Sequence, residues 1–218
     1  MKIGVIILAR ANFGRWPDKV LFELQGKSIL EHVITKAQQL NVDCIIVSTT
    51  ANPEDKPIRE IIVKTNCDSS LGDPDNRTSR ICQAIKDYEL DYVVDLSPAR
   101  PFFDVEYENR LINAFHQNPG YEIYKVTYFA FNCVPPIFNA RIPFQNQDDD
   151  QEIYMKGEHV HFHLYDWYAP EIRNRYLFNA NIAYKIQGDN HQRICEYLGH
   201  FPKDYDEVTK ALLEIGLW

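Results

Sequence analysis

At 218 residues, with 45% hydrophobic and 25% charged residues, the chain has the composition of a folded globular protein, which excludes disordered and fibrous classes. A formal net charge of −8 leaves no broad basic field for nucleic acid or an anionic membrane, so a phosphate ligand has to be met by a local cluster of cations. There is no run of apolar residues long enough to span a bilayer, and the opening MKIGVIILAR is broken at Arg10, so the expectation is a cytoplasmic protein without signal peptide or membrane span.

No Ser/Gly/Pro-rich stretch divides the chain, which reads as one domain over residues 1–218. Ile3 to Leu8 is an unbroken apolar run that stops at Ala9, Arg10 and Asn12, as a strand buried on both faces does when it enters a loop. Ser28 with Glu31 three residues later forms a capping-box pattern, and Ile29, Leu30, Val33, Ile34 and Ala37 then recur at helical spacing to about Leu40. Cys44 to Val47 predicts a second buried strand ending in Ser48, Thr49 and Thr50, and Pro57 to Lys64 a helix with Ile58, Ile61 and Ile62 on one face. A polar turn over Gly72 to Asp75 precedes a helix from Thr78 to Tyr88, a third strand from Tyr92 to Leu96 and a loop from Ser97 to Pro101. Strand and helix have then alternated three times, the pattern of βαβ units and a mostly parallel sheet. Beyond lie a helix over Glu106 to His116, a strand over Glu122 to Phe131 and an acidic-amide loop from Gln145 to Gln151. A helix around Trp167 to Arg175, a short strand from Ala180 to Ile186 and a closing helix from Tyr205 to Leu213 complete the reading.

The chemistry concentrates in Leu8-Ala9-Arg10-Ala11-Asn12-Phe13-Gly14-Arg15-Trp16-Pro17-Asp18-Lys19, where three cations follow a buried first strand in an otherwise acidic chain. Arg10 and Arg15 can fork onto phosphate oxygens, and Lys19 can place a compact charge beside a transferring phosphoryl group. A solvated basic loop is the plain alternative. This stretch resembles the nucleotide-binding signature of the cytidylyltransferases that make CMP-activated sugars: an apolar strand into Ala-Arg, a small turn, Arg, Pro, usually Gly, then Lys. Asp18 stands where that Gly is usual. Gly26 to Val33, Ile46 to Thr50 with Pro53-Glu54-Asp55, Gly72 with Asp75 and Arg80, and Glu158-His159-Val160 fit further motifs in the same order, the last one typical of the spore-coat-polysaccharide branch.

The resemblance implies a three-layer α/β/α sandwich with a mainly parallel twisted, Rossmann-like sheet, binding its ligand across the carboxyl ends of the strands that begin at Ile3, Cys44 and Tyr92. It implies attack of a sugar or sugar acid on the α-phosphate of CTP, giving a CMP-sugar and pyrophosphate for surface polysaccharide, with magnesium held by aspartates. By the same resemblance Arg10, Arg15 and Lys19 are catalytic, and Leu8, Ala9, Arg10, Thr49, Asp75 and Arg80 bind the nucleotide. Arg100, Glu158 and His159 bind the sugar, with a dimer contact as the alternative for Glu158 and His159. A homodimer is also implied, with the aromatic stretch around Tyr165, Trp167 and Tyr168 as a candidate contact.

Two substitutions stand against magnesium. Ala99 falls where the family places a metal-binding Asp, and Gln187 where a second acidic motif is expected, so the metal ligands are unknown. Three explanations stay open. Asp95, Asp104 or Asp189 supplies a displaced site; Arg100 takes over charge neutralisation; or the chain is a catalytically silent relative that binds nucleotide or sugar or serves as a structural partner.

Other patterns carry less. His159, His161 and His163 alternate, as on one face of a strand, yet no cysteine or second cluster completes a zinc set. Asp148-Asp149-Asp150 lacks the spacing and glycine turn of a calcium loop, and reads as a solvated acidic loop. The five cysteines, odd in number and without CxxC spacing, argue against a disulfide framework. A glycosyltransferase-like protein would need an acidic metal motif that the sequence does not offer.

Overall fold

The computed structural model describes residues 1–11, 18–127, 136–145, 159–163 and 189–216. A seven-stranded sheet has β1 (Ile3–Leu8) near its middle, flanked by β4 (Cys44–Thr49) and β6 (Tyr92–Leu96). Both neighbours run parallel to it, Val5 lying opposite Ile45 and Val94. Outside β4 comes β5 (Asp68–Leu71), also parallel. On the other side β8 (Ile137–Asn139) is inserted antiparallel between β6 and β7 (Ile123–Thr127), and β9 (His159–His163) closes the edge parallel to β7. Among the described strands of this sheet only β8 opposes the common direction. A two-stranded ribbon, β2 (Glu23–Leu24) with β3 (Lys27–Ser28), lies apart.

Period-two alternation sorts the strand residues onto two buried faces. Ile3, Val5 and Ile7, with Val47, Val94 and Leu96, meet α1 (Ile29–Ala37), α2 (Lys56–Thr65), α4 (Val105–Gln117), α6 (Asp189–Leu198) and α7 (Tyr205–Glu214) in one apolar cluster. Ile6, Ile46 and Val93 face the opposite way, onto α3 (Arg77–Tyr88) and α5 (Arg141–Gln145). These are the three layers expected. Gly4 lets the Leu90 side chain pack directly over β1, since a Cβ there would stand 2.8 Å from the Leu90 Cδ2 and displace it.

The helices form where sequence periodicity places them, and their caps explain the boundaries. Ser28 and Glu31 close a complete capping box at α1: Glu31 N–H donates to Ser28 Oγ (3.2 Å), and Ser28 N–H donates to Glu31 Oε2 (2.8 Å). Asn76, Asp104 and Asp204 accept from the third residue beyond them at α3, α4 and α7. β5, the ribbon, β8, α5 and α6 come as additions to the sequence reading; β7 begins at Ile123, within the span Glu122 to Phe131, whose last four residues lie outside the described residues. The elements expected around Trp167 to Arg175 and Ala180 to Ile186, and most of the loop after Gln145, lie outside the described residues. Among the described residues no helix is long and apolar enough to cross a membrane.

Candidate functional site

Beyond β1 the chain alternates small and large. Ala9 and Ala11 are buried, and Ala9 N–H extends the β1–β4 ladder to Ser48 O (2.9 Å). Arg10, between them, turns instead into an open cleft of ≈ 490 Å³, its mouth included. The turn is anchored by Asp55, itself only 1% exposed: one carboxylate oxygen accepts from Ala11 N–H (2.7 Å), the other from the Thr50 hydroxyl. A single carboxylate thus ties the loop after β1 to the loop after β4. Arg59 reinforces the second of these loops by donating to Thr50 O (2.7 Å) and Asn52 O (3.0 Å).

The chain re-enters the described structure at Asp18, whose N–H donates to Ala11 O (2.7 Å) and closes the base of the intervening loop. Asp18 has φ = 56°, in the left-handed region that Gly adopts without strain and Asp tolerates better than most residues. That conformation accounts for the glycine usual at this place in the family it resembles. Lys19 follows and lines the cleft, where burial lowers its ammonium below the ordinary lysine range.

The second wall is the first turn of α3. Arg77 and Arg80 stand at i and i+3, on one face, and both line the cleft. No acidic residue occupies that turn, although the helix macrodipole favours anions at its N-terminal end. Two arginines there gain from an anion held between them. Arg80 Nη1 donates to the carbonyls of Asp73 (2.7 Å) and Pro74 (3.0 Å), pinning the turn in which Asp73 Oδ1 accepts from Asp75 N–H (2.7 Å). Gly72 gives Arg80 room, because a Cβ there would lie 3.0 Å from the Arg80 Cγ and 3.3 Å from its Cα. Arg77 Nη2 donates to Asp95 Oδ2 at 2.6 Å, across the cleft floor at the end of β6.

The third wall is the turn after β6, with Ser97, Pro98 and Ala99 lining the cleft and Arg100 N–H closing onto Ser97 O (3.0 Å). Among the described residues the lining therefore carries Arg10, Lys19, Arg77 and Arg80 against one carboxylate, Asp95. In a chain of net charge −8, this is a formal local excess of three positive charges. Its chemistry is that of a polyanion receptor.

The structure places the residues singled out from sequence as follows. Leu8, Arg10, Lys19 and Arg80 line the cleft. Ala9 is buried behind it, and Asp75, 96% exposed at the side chain, sits 3.8 Å from Arg10. Thr49 is fully buried at the end of β4 and is not part of the lining, nor is Arg100. His159 opens β9, on the edge strand, while Arg15, Glu158 and Gln187 lie outside the described residues. Arg77 was not anticipated. The signal for it was available, a cation in a helix's first turn where acids are favoured, with a second one three residues on.

The donor set does not suit a carboxylate-bound divalent ion. Among the described residues no group of three His, Cys, Asp or Glu side chains is placed to hold a metal. Asp104 caps α4, accepting from Tyr107 N–H (3.1 Å), and Asp95 is engaged by Arg77. Ala99 lines the cleft with a methyl group, which offers no oxygen to a hard cation.

A family model described as cytidylyltransferase matches residues 4–214. A 3-deoxy-manno-octulosonate cytidylyltransferase of Vesicomyosocius okutanii is 24% identical over 97% of this chain and 100% of that one. An 8-amino-3,8-dideoxy-manno-octulosonate cytidylyltransferase of Shewanella frigidimarina is 29% identical over 55% of this chain and 50% of its own. Among solved structures, a cytidylyltransferase from Leptospira borgpetersenii superposes with a TM-score of 0.66 at 21% identity, over 74% of this chain and 76% of that one. A CMP:2-keto-3-deoxy-manno-octonic acid synthetase complexed with CTP superposes with a TM-score of 0.58 at 15% identity, over 75% and 90%.

Proposed function

The chain belongs to the cytidylyltransferase family, and from that premise we propose that it transfers a cytidylyl group from CTP to an acidic sugar, releasing pyrophosphate, in surface polysaccharide biosynthesis. The observation that carries this reading is the cation-lined cleft at the carboxyl ends of β1 and β6, where open α/β sheets bind their ligands. The acceptor class follows the relatives, which are named for 3-deoxy-manno-octulosonate and its 8-amino analogue.

In the reaction the acceptor oxygen attacks the α-phosphorus of CTP in line with the bond to the departing pyrophosphate, and that bond breaks as the new one forms. Arg10 and Lys19 stabilise the negative charge gathering on the leaving group, fixed in place before it develops. Burial lowers the affinity of Lys19 for its proton, and a polyphosphate beside it restores that affinity, so ligand and ammonium charge reinforce each other. Arg15 joins this set in our reading. The turn at Asp75, pinned by Arg80, bounds the nucleoside side with Thr49 buried behind the cleft, while Arg100, Glu158 and His159 serve the acceptor. Members of the family generally use a divalent metal such as magnesium, which the described donors do not fit. A cytoplasmic homodimer completes the proposal.

The silent-relative alternative finds no support in the relatives, which are named as transferases. Isothermal titration with CTP, UTP, ATP and GTP tests the proposal. CTP binding stronger than that of the other three, and weakened in Lys19→Met, is the expected result; indifference to the base overturns the assignment of CTP.

A further inference from the structure

Asp95 would be the natural carboxylate for a metal in this cleft, being the only acidic lining residue among the described residues. It is spoken for. Its side chain is 9% exposed and its Oδ2 accepts from Arg77 Nη2 at 2.6 Å, the geometry of a charge-assisted pair. A dication drawn to Asp95 would sit beside a guanidinium, and the repulsion between them grows as the cleft excludes water. Ala99, on the adjoining turn, adds no oxygen. The positive charge a polyphosphate needs is nevertheless present, in Arg10, Lys19, Arg77 and Arg80.

Arg77 is also placed for this role by the fold. It opens α3, a helix of 12 residues, at the end where the backbone dipole favours anions, and Asp95 holds its guanidinium against the cleft floor. A planar fork oriented in this way meets phosphate oxygens with little loss of side-chain freedom. Resting on the reading above that the cleft takes a nucleoside triphosphate, we propose that Arg77, braced by Asp95, is a phosphate-binding residue standing in for a divalent ion. The triphosphate then binds this cleft without metal.

The plain alternative is an ion pair that only holds α3 to β6. Removing Arg77 alone would strand the buried carboxylate of Asp95 and confuse the two roles, so the informative variant is the double replacement Arg77→Met with Asp95→Asn. Isothermal titration of CTP into the wild-type protein is expected to give the same affinity in EDTA as in excess MgCl2. The double variant, with its melting temperature measured alongside, is expected to lose about tenfold or more in CTP affinity in EDTA, the worth of a charge-assisted hydrogen bond. Arg77→Lys keeps a charge beside Asp95 but loses the fork, and gives a smaller loss without unfolding the protein.

CTP binding by the wild type only in MgCl2, or unchanged affinity in both variants, overturns this inference and leaves the proposed function standing. No nucleotide binding under either condition overturns both.

Discussion

Replacing Glu108 by Leu should stabilise the protein at neutral pH and flatten part of its pH dependence. Glu108 lies on the buried face of α4 with Leu111, Ile112 and Phe115; it is 0% exposed and neither carboxylate oxygen has a hydrogen-bond partner. Burial pushes its carboxyl well above the ordinary value of 4.5, so folding favours the neutral acid over the carboxylate. The unfolded chain ionises it from that ordinary value upward. Its contribution to stability is therefore complete below the unfolded pKa and declines by about 1.4 kcal/mol per pH unit above it, until the raised folded pKa is passed. The wild type therefore loses stability on this account as the pH rises from 5 towards 7. Glu108→Leu removes both the titration and the two orphaned oxygens, and should gain about 1–3 kcal/mol at pH 7, the cost of a buried unsatisfied polar group, with the gain shrinking towards pH 5. Urea unfolding followed by fluorescence at pH 5, 6 and 7 reads the difference between variant and wild type, so that other titrating groups cancel. Glu108→Gln, neutral at every pH, should lose the same slope. A difference that does not change with pH would refute the reasoning, as would a Leu variant less stable than wild type at pH 7.

Asp55→Ala strands the Ala11 N–H and the Thr50 hydroxyl, and should cost about 2–5 kcal/mol in urea unfolding while weakening CTP binding through the loosened loop. Lys19→Met should lower the turnover of CTP by about 100-fold or more in a pyrophosphate-release assay, with the unfolding midpoint little changed. At Asp18, with its φ of 56°, Gly should leave the melting temperature nearly unchanged, because relief of left-handed strain is offset by the freer unfolded chain. Val at the same place should cost about 1–2 kcal/mol, read by thermal unfolding.

The parts of this fold legible in the sequence are those whose burial is written locally. Ile3 to Leu8 is apolar at every position except Gly4 because both faces of β1 are covered, and the Ser28–Glu31 pair announces α1 because a capping box uses side chains three residues apart. β5 is Asp-Ser-Ser-Leu, with only Ser70 buried; an edge strand of polar residues has no periodic signal. β8 has three residues, too few for alternation to show. α6 begins Asp-Asn-His-Gln-Arg and buries His191 before its first apolar residue, Ile194, so its inner face is hidden under polar letters.

The site divides in the same way. Arg10 and Lys19 could be associated with a phosphate from the sequence because one short loop carries both. The Arg77–Asp95 pair joins α3 to β6 across 18 residues and exists only once the sheet places β6 beside β1. Likewise, the capping of α4 by Asp104 becomes visible only in the structure.

The central claim is transfer of a cytidylyl group to an acidic sugar. Its most direct test is phosphorus NMR of the purified protein incubated with CTP and 3-deoxy-manno-octulosonate, with and without MgCl2. Pyrophosphate appearing together with a new phosphodiester resonance, in equal amounts and only when both substrates are present, is the predicted result. CTP bound but left intact in every mixture, with this sugar acid and its 8-amino analogue alike, would contradict it.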